Sequence, residues 1–382
     1  MLRMLSLLGL GAALGCASPN ASSESVSVPV TYLAPGAEPP DARAPVRTYG
    51  LETLRTGKLD HVLHGVGPMW NPREVEGYVN AFPATPPMLV RMGVNLAPTE
   101  RVSFDDLVDD LRGYMQHHAT RLPVLSISFR ASLGNDQMRG LGADVTAGHF
   151  DTKLDQLVEL VRQAGRPVFL RIAPEVNVPK IGHQPREFVK AYRYIVERFR
   201  AAGVENAIHM WSYKALRDVQ PDFELWYPGD AWVDWWSIDI FYADLSHTDL
   251  RARVVDFLRD ARARGKPVML PEAAPSKLDI HDRNTWRLWF QPFFDLIRRY
   301  PVIRAFCYSN RDFREHVGLE NWGDMRLEGT PMAPLWEAQL RKSIYLHAPL
   351  SPRAAAEELD QEAQNAARRA AQRARRQRGI EG

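Results

Sequence analysis

Two glutamates occupy positions from which a carboxylate can do chemistry. Glu175 follows the apolar run Val168 to Ala173 in the segment Arg171-Ile172-Ala173-Pro174-Glu175-Val176-Asn177, and Glu272 follows the run Val268 to Pro271. Three strand-and-helix repeats separate them, so a closed barrel of parallel strands would set them across its mouth from each other. Facing carboxylates suit the cleavage of a glycosidic bond: one attacks the anomeric carbon while the other, protonated, delivers its proton to the departing oxygen, and a separation of about 5 Å lets both reach one ring. Either glutamate alone is as readily a helix cap or an arginine partner. Together, at the ends of the fourth and seventh strands, they favour catalysis. Glu175 is expected to hold its proton through burial and the nearness of Glu272, and Glu272 to be kept ionised by hydrogen-bond donors.

The elements that must position this pair are readable from hydropathy. Eight strand-like runs are expected: Val62 to Gly67, Met88 to Gly93, Val124 to Phe129, Val168 to Ala173, Ala207 to Trp211, Val233 to Phe241, Val268 to Pro271 and Ile303 to Tyr308. Between them, Phe104 to Ala119, Phe150 to Ala164, Pro185 to Ala202, Leu250 to Arg264 and Thr285 to Tyr300 carry apolar residues at helical spacing. Ser103, with Asp106 three residues on, reads as a helix start, and Gly165, Gly203 and Gly265 as stops. Strand and helix alternation over this length predicts a (β/α)8 TIM barrel in the α/β class. An open doubly wound sheet is the competitor, but Gly65-Val66-Gly67-Pro68 lacks the third glycine and the helix of a phosphate-binding turn.

At these residues the chain resembles glycoside hydrolase family 26. The segment with Arg171, Glu175 and Asn177 is similar to that family's acid/base motif. Tyr227-Pro228-Gly229-Asp230, leading into Val233-Asp234-Trp235, is similar to its block before strand 6, and Pro271-Glu272 to its nucleophile position. The similarity runs in order from Leu59 to Tyr345 and implies a retaining β-glycanase, with Glu175 as acid/base and Glu272 as nucleophile. Two positions depart from the pattern. The family's histidine before the acid/base is Pro174 here, and its strand 6 tyrosine is Phe241, with Tyr242 adjacent. Both changes remove polar contacts near the reacting ring and set the site apart from the family's mannan pattern, which leaves a related activity or a site without turnover as alternatives.

Sugars stack their C–H faces on aromatic rings. Trp70, Trp211, Trp226, Trp232 and Trp322 fall at strand ends or in the loops after them. Trp70 and Trp322 are the foremost candidates, and core packing is the alternative, foremost for Trp235 and Trp236. The expected substrate-binding set is Arg171, Asn177, Trp70, Trp211, Phe241, Tyr242 and Trp322, although Arg171 reads equally as a buried ion-pair partner. No metal site and no cofactor are expected: His117 and His118 are helix neighbours facing apart, and His61 with His64 lacks a third ligand. Ser126 and Ser128 lie in a strand with no nucleophile-elbow glycines around them.

The ends of the chain point to export. Arg3, the apolar stretch Leu5 to Leu14 and the sequence Ala13-Leu14-Gly15-Cys16 look like a lipoprotein signal whose Cys16 is lipidated. The expected organisation is a signal over 1–16, a Ser/Pro/Ala-rich linker over 17–47, the barrel over 48–348 and a basic Ala/Arg-rich tail over 349–382. That tail reads as a solvated, partly helical segment, or as an attachment to anionic envelope surfaces. Cys307 is expected as a buried thiol, with no disulfide framework. With 45% hydrophobic residues and a net charge of +2, the composition is that of a globular chain that does not seek polyanions. The expected function is therefore an envelope-anchored, monomeric glycosidase acting on mannan, xylan or an exopolysaccharide, with no nucleic-acid partner. Alternatives are a non-catalytic carbohydrate-binding lipoprotein on the same barrel, or a barrel glycosidase of another family.

Overall fold

The computed structural model describes residues 50–67, 72–97, 103–134, 137–216, 223–315 and 319–348. Eight parallel strands close on themselves: β1 (Val62–Gly67), β2 (Leu89–Asn95), β3 (Leu122–Ser128), β4 (Val168–Ile172), β5 (Ala207–Tyr213), β6 (Trp235–Ile238, resuming as Ile240–Phe241), β7 (Val268–Ala274) and β8 (Ile303–Ser309). β8 returns to β1 with Leu63 opposite Ala305 and Gly67 opposite Ser309, so no sheet edge is left and the open doubly wound alternative is excluded. The chain folds as a (β/α)8 barrel, and the described residues reach nearly to both expected limits of that domain. Cys16, the 17–47 linker and the 349–382 tail lie outside the described residues.

Strand side chains alternate between two cores. Leu63, Leu89, Val124, Phe169, Met210, Trp235, Met269 and Cys307 fill the lower interior, while Val66, Val90, Ile127, Ile172, Trp211, Trp236 and Phe306 face the helices. At the floor, the helix Leu51–Thr56 sends Leu54 into the interior cluster, and the Trp235 Nε1–H donates to the Leu54 carbonyl at 2.7 Å. Gly65 is required at that level, because a Cβ there would stand 2.6 Å from the Leu89 Cβ and 2.7 Å from the Cys307 Sγ. Cys307 is a buried free thiol whose burial pushes its pKa up to about 12.

The outer helices lie close to their expected spans: Phe104–His117, Asp151–Gln163, Pro185–Ala201 and Thr248–Ala263. The Ser103 Oγ accepts the Asp106 N–H at 3.1 Å, and Gly165, Gly203 and Gly265 take φ values of 62°, 67° and 67°. The expected single helix from Thr285 to Tyr300 is instead a wide π turn, Trp286–Phe290, joined to an α-helix, Gln291–Arg299. Pro292 has no N–H to continue an α ladder through that junction, and this accounts for the widened turn. Further elements include a helix, Pro72–Ala81, a helix, Ala333–Leu340, and an antiparallel hairpin, Arg130–Gly134 with Gln137–Gly140, rising from the end of β3.

Trp235→Ala is expected to lower unfolding free energy by about 3–5 kcal/mol in urea titrations, since it empties the barrel floor and strands the Leu54 carbonyl. Trp235→Phe should recover most of that loss; equal destabilisation by both would mean that the hydrogen bond, not the packing, holds the floor.

Candidate active site

The mouth of the barrel is organised on one fully buried guanidinium, that of Arg171 on β4. Its Nη1 donates to the Glu272 Oε1 at 2.5 Å and its Nη2 to the Asp239 Oδ2 at 2.6 Å. Its Nε and Nη2 also donate to the Ser212 Oγ at 3.2 and 3.1 Å. The same hydroxyl oxygen accepts the Glu175 backbone N–H at 3.2 Å, so one arginine and one serine tie together the ends of β4, β5, β6 and β7. Arg91, from β2, brings its Nη1 to 3.3 Å from the Glu272 Oε1.

Backbone geometry aims the glutamates. Ala173 and Glu175 adopt φ values of 48° and 52°, a region that side-chain-bearing residues rarely occupy, on either side of Pro174. Asn177 fixes this turn by pairing with the end of β5: its Nδ2 donates to the Lys214 carbonyl at 2.9 Å and its Oδ1 accepts the Lys214 N–H at 2.8 Å. On β7 the register against β8 slips between Leu270 and Ala273, so Pro271 and Glu272 sit in a bulge, where a residue without an N–H is tolerated.

Environment separates the two carboxyls. Glu175 has no solvent exposure, and neither of its oxygens has a hydrogen-bond partner among the described residues. Burial first, then the negative charges of Asp239 and Glu272, push its pKa up to about 8 against the opposing pull of Lys214 and Arg171. Glu272 goes the other way: burial works to raise its pKa, but Arg91 and Arg171 overcome it and hold the group below the ordinary carboxylate range. Asp239 is raised to about 6 by burial and by Glu272, with Arg171 opposing. The Lys214 Nζ donates to the Asp244 Oδ2 at 2.8 Å and to the Asp239 carbonyl at 3.2 Å, where β6 interrupts its ladder. One buried network thereby holds two carboxyls whose pKa values are pushed in opposite directions.

The remaining expected residues divide. Phe241 packs against Trp322 with ring centroids 4.7 Å apart and lies 4.7 Å from the Lys214 ammonium, so this aromatic pair stands at the network. Tyr242 is half-buried at the start of the short helix Tyr242–Ser246. Trp211 is corrected: it lies on the helix-facing side of β5, fully buried against Tyr227, Trp236 and Phe257, where no sugar reaches it. Asn177 and Arg171 are corrected as well, since their polar groups are taken up by the protein and make them positioning residues. Trp226 and Trp232 belong to the outer layer, the latter stacked by Arg193. Trp235 and Trp236 are both core. Trp70 lies outside the described residues. Sequence reasoning missed Arg91, Arg130, Ser212, Lys214, Asp239 and Asp244. Most are polar residues on the inward phase of an otherwise apolar strand, a signal that was available.

Arg171→Met should destabilise the fold by about 3–5 kcal/mol, because Asp239 loses its guanidinium partner inside the barrel and Glu272 keeps only the longer contact to Arg91. Urea unfolding checks this, and a loss below about 1 kcal/mol would show that the network is not organised on Arg171.

Residues 148–269, about a third of the chain, match the model of glycosyl hydrolase family 26. That segment holds Arg171, Glu175, Ser212, Lys214 and Asp239 and stops just short of Glu272. The chain is 26% identical over 221 residues to the β-1,3-xylanase TXYA of a Vibrio species, covering 51% of this chain and 47% of that protein. It is 25% identical over 238 residues to a β-1,3-xylanase of an Alcaligenes species, covering 55% and 50%. The chain thus spans about half the length of the curated relatives it matches. Among solved structures, the family 26 β-mannanase BoMan26A of Bacteroides ovatus superposes with a TM-score of 0.57 at 17% identity, over 78% of this chain and 93% of that one. GH26C of a Muricauda species gives 0.59 at 13% identity, over 80% and 92%. Over residues 148–269 the chain is thus similar in sequence to glycosyl hydrolase family 26, and its barrel shares the fold of the family 26 structures.

Proposed function

We propose that the protein is a retaining β-glycanase that cleaves a polysaccharide by double displacement. One observation carries this reading: a buried, proton-holding Glu175 and a cation-held, ionised Glu272 share one hydrogen-bonded network at the C-terminal mouth of the barrel. Glu272 attacks the anomeric carbon while Glu175 passes its proton to the glycosidic oxygen, which leaves with the aglycone chain. Once Glu272 is esterified, its negative charge is gone. One of the charges holding the Glu175 proton is then missing, and the ionised Glu175 takes a proton from the water that attacks the glycosyl ester. Lys214 and Arg171 stand ready to stabilise that ionised state.

The matched β-1,3-xylanases support a xylan-like substrate and the structural neighbours a mannan-like one. Both are β-linked backbones. Phe241 and Trp322 pack on each other beside the network, where an aromatic wall could meet a sugar ring. The role that Phe241 cannot play for the nucleophile, having no hydroxyl, falls to Arg91, which contacts Glu272 directly. The lipobox at Cys16 supports an exported, lipid-anchored form, with the 17–47 segment as tether, and the near-neutral charge supports a protein without nucleic-acid partners, which we take to act as a monomer.

Release of new reducing ends from a panel of xylans, mannans, β-glucans and exopolysaccharides by the wild type, and not by Glu272→Ala, is the expected result. Glycan binding without release in both proteins would move the assignment to a non-catalytic sugar-binding barrel. Where hydrolysis is found, kcat/KM should be bell-shaped in pH. Glu272 must be ionised, so the acid limb falls only below the usual carboxylate range of about 4. Glu175 must be protonated, so the alkaline limb falls as pH rises through about 8. An alkaline limb near pH 5 would contradict the assignment of Glu175 as the buried acid.

A further inference from the structure

Buried cations gather at the barrel mouth. Arg91, Arg130, Arg171 and Lys214 are all buried there, against Glu272, Asp239 and Asp244, with Glu175 neutral while it holds its proton. Arg171 and Lys214 are consumed by carboxylates at 2.5 to 2.8 Å. Arg91 is different. It is only 5% exposed, and its one ion-pair contact among the described residues is the 3.3 Å approach of Nη1 to an Oε1 that Arg171 already holds at 2.5 Å. Its Nε and Nη2 have no acceptor among the described residues. Buried guanidinium donors without acceptors are costly, about 1–3 kcal/mol each or more, so their retention calls for an acceptor that arrives with the ligand.

The barrel makes room for this arginine. A Cβ on Gly67 of β1 would stand 2.6 Å from the Arg91 Cβ, so glycine there admits the Arg91 side chain to the interior. On the flanking strands, the hydroxyls of Ser126 and Ser128 on β3 and of Ser309 on β8 are buried and also without partners among the described residues. Arg130 opens the hairpin above β3. Its backbone is tied to Asn95 at the end of β2, and it lies within electrostatic reach of both Glu175 and Glu272. Two cations and a group of hydroxyl donors therefore flank the nucleophile on the β1–β3 side, opposite the acid-lined β5–β6 side.

We propose that the sugar bound beside Glu272 carries an anionic substituent, a carboxylate or a sulfate ester, which Arg91 receives through Nε and Nη2 and Arg130 assists. The inference rests on the reading that this mouth binds a glycan, and it names the chemical class of that glycan. A planar guanidinium presenting two adjacent N–H groups matches a carboxylate or sulfate edge, which a neutral hydroxymethyl group cannot replace.

Binding tests it independently of turnover. The full chain carrying Glu175→Gln, which keeps the site uncharged there, is titrated calorimetrically with oligo-β-1,4-mannuronate and with the same oligosaccharide after carboxyl reduction. The second arm uses a sulfated β-1,3-xylooligosaccharide and its desulfated form. At least one anionic probe should bind about tenfold or more tightly than its neutral counterpart, with the ratio shrinking at high salt. Preference in the first arm alone identifies a carboxylate, and in the second alone a sulfate. Adding Arg91→Met should bring the ratio to about one, and Arg91→Lys should restore part of it by charge without the planar fork. Anionic probes that bind no more tightly than neutral ones overturn the proposal, as does an Arg91→Met variant that weakens both equally. Silent hydrolysis assays beside a clear anionic preference would instead overturn the enzymatic reading and leave this one standing.

Discussion

The arrangement of the barrel mouth depends on placing one guanidinium where water cannot reach it. Arg171 is buried on a central strand, and a buried cation is tolerable only when anions and oriented oxygens surround it. The strands to one side supply them in sequence: Ser212 from β5, Asp239 from β6 and Glu272 from β7. None of these groups would be stable in that interior without the arginine, nor the arginine without them. The groups of the network therefore depend on one another, and together they fix the position of the Glu272 carboxylate as a by-product of satisfying charge. The Ser212 hydroxyl extends the same constraint to the Glu175 backbone, so the strained turn around Pro174 is held from inside the barrel as well as by Asn177 from its rim.

Two chemically alike carboxyls receive opposite protonation from this arrangement. Glu272 takes the cations, while Glu175 is given burial, neighbouring anions and no hydrogen-bond donor among the described residues. Pro174 sits between the two positive-φ residues, and its ring fixes the chain where the related family carries a polar side chain. Phe241 likewise exchanges a hydroxyl for a ring that packs on Trp322 and lies near the Lys214 ammonium. Neither residue brings a polar side chain to the site, whose polar support comes from Arg171, Arg91 and Lys214.

Much of this was legible in the sequence because a parallel barrel buries both faces of every strand. The strands then read as short apolar runs, and the cap at Ser103 and the glycine stops marked the helices between them. Glu175 and Glu272 were legible because they break such runs at their C-terminal ends. Asp239, Ser212, Lys214 and Arg91 were harder: a single polar residue inside an apolar strand looks like noise until its phase is counted. Trp211 was misplaced for the same reason, since its neighbours Met210 and Ser212 face inward and it must face out. The hairpin after β3 leaves Leu133 64% exposed and has no buried alternation by which to recognise it. Pro292 shows the limit of periodicity from the other side, since the apolar spacing continues through a point where the α ladder does not.

The bulge in β7 carries a consequence for how this site tolerates change. Met269 faces the interior, and strict alternation from it would send residue 272 outward, toward the helices. Glu272 nevertheless reaches Arg171 and Arg91, because the strand carries a surplus residue between Leu270 and Ala273 that reverses the parity of all that follows. The inward carboxylate is thus specified by a count as much as by a residue type. Losing one residue from this short stretch would keep a glutamate in the sequence and a strand in the barrel, yet turn the carboxylate into the wrong compartment. In this barrel a one-residue slip would empty the charge network of Glu272 while leaving composition, strand order and motif letters nearly unchanged.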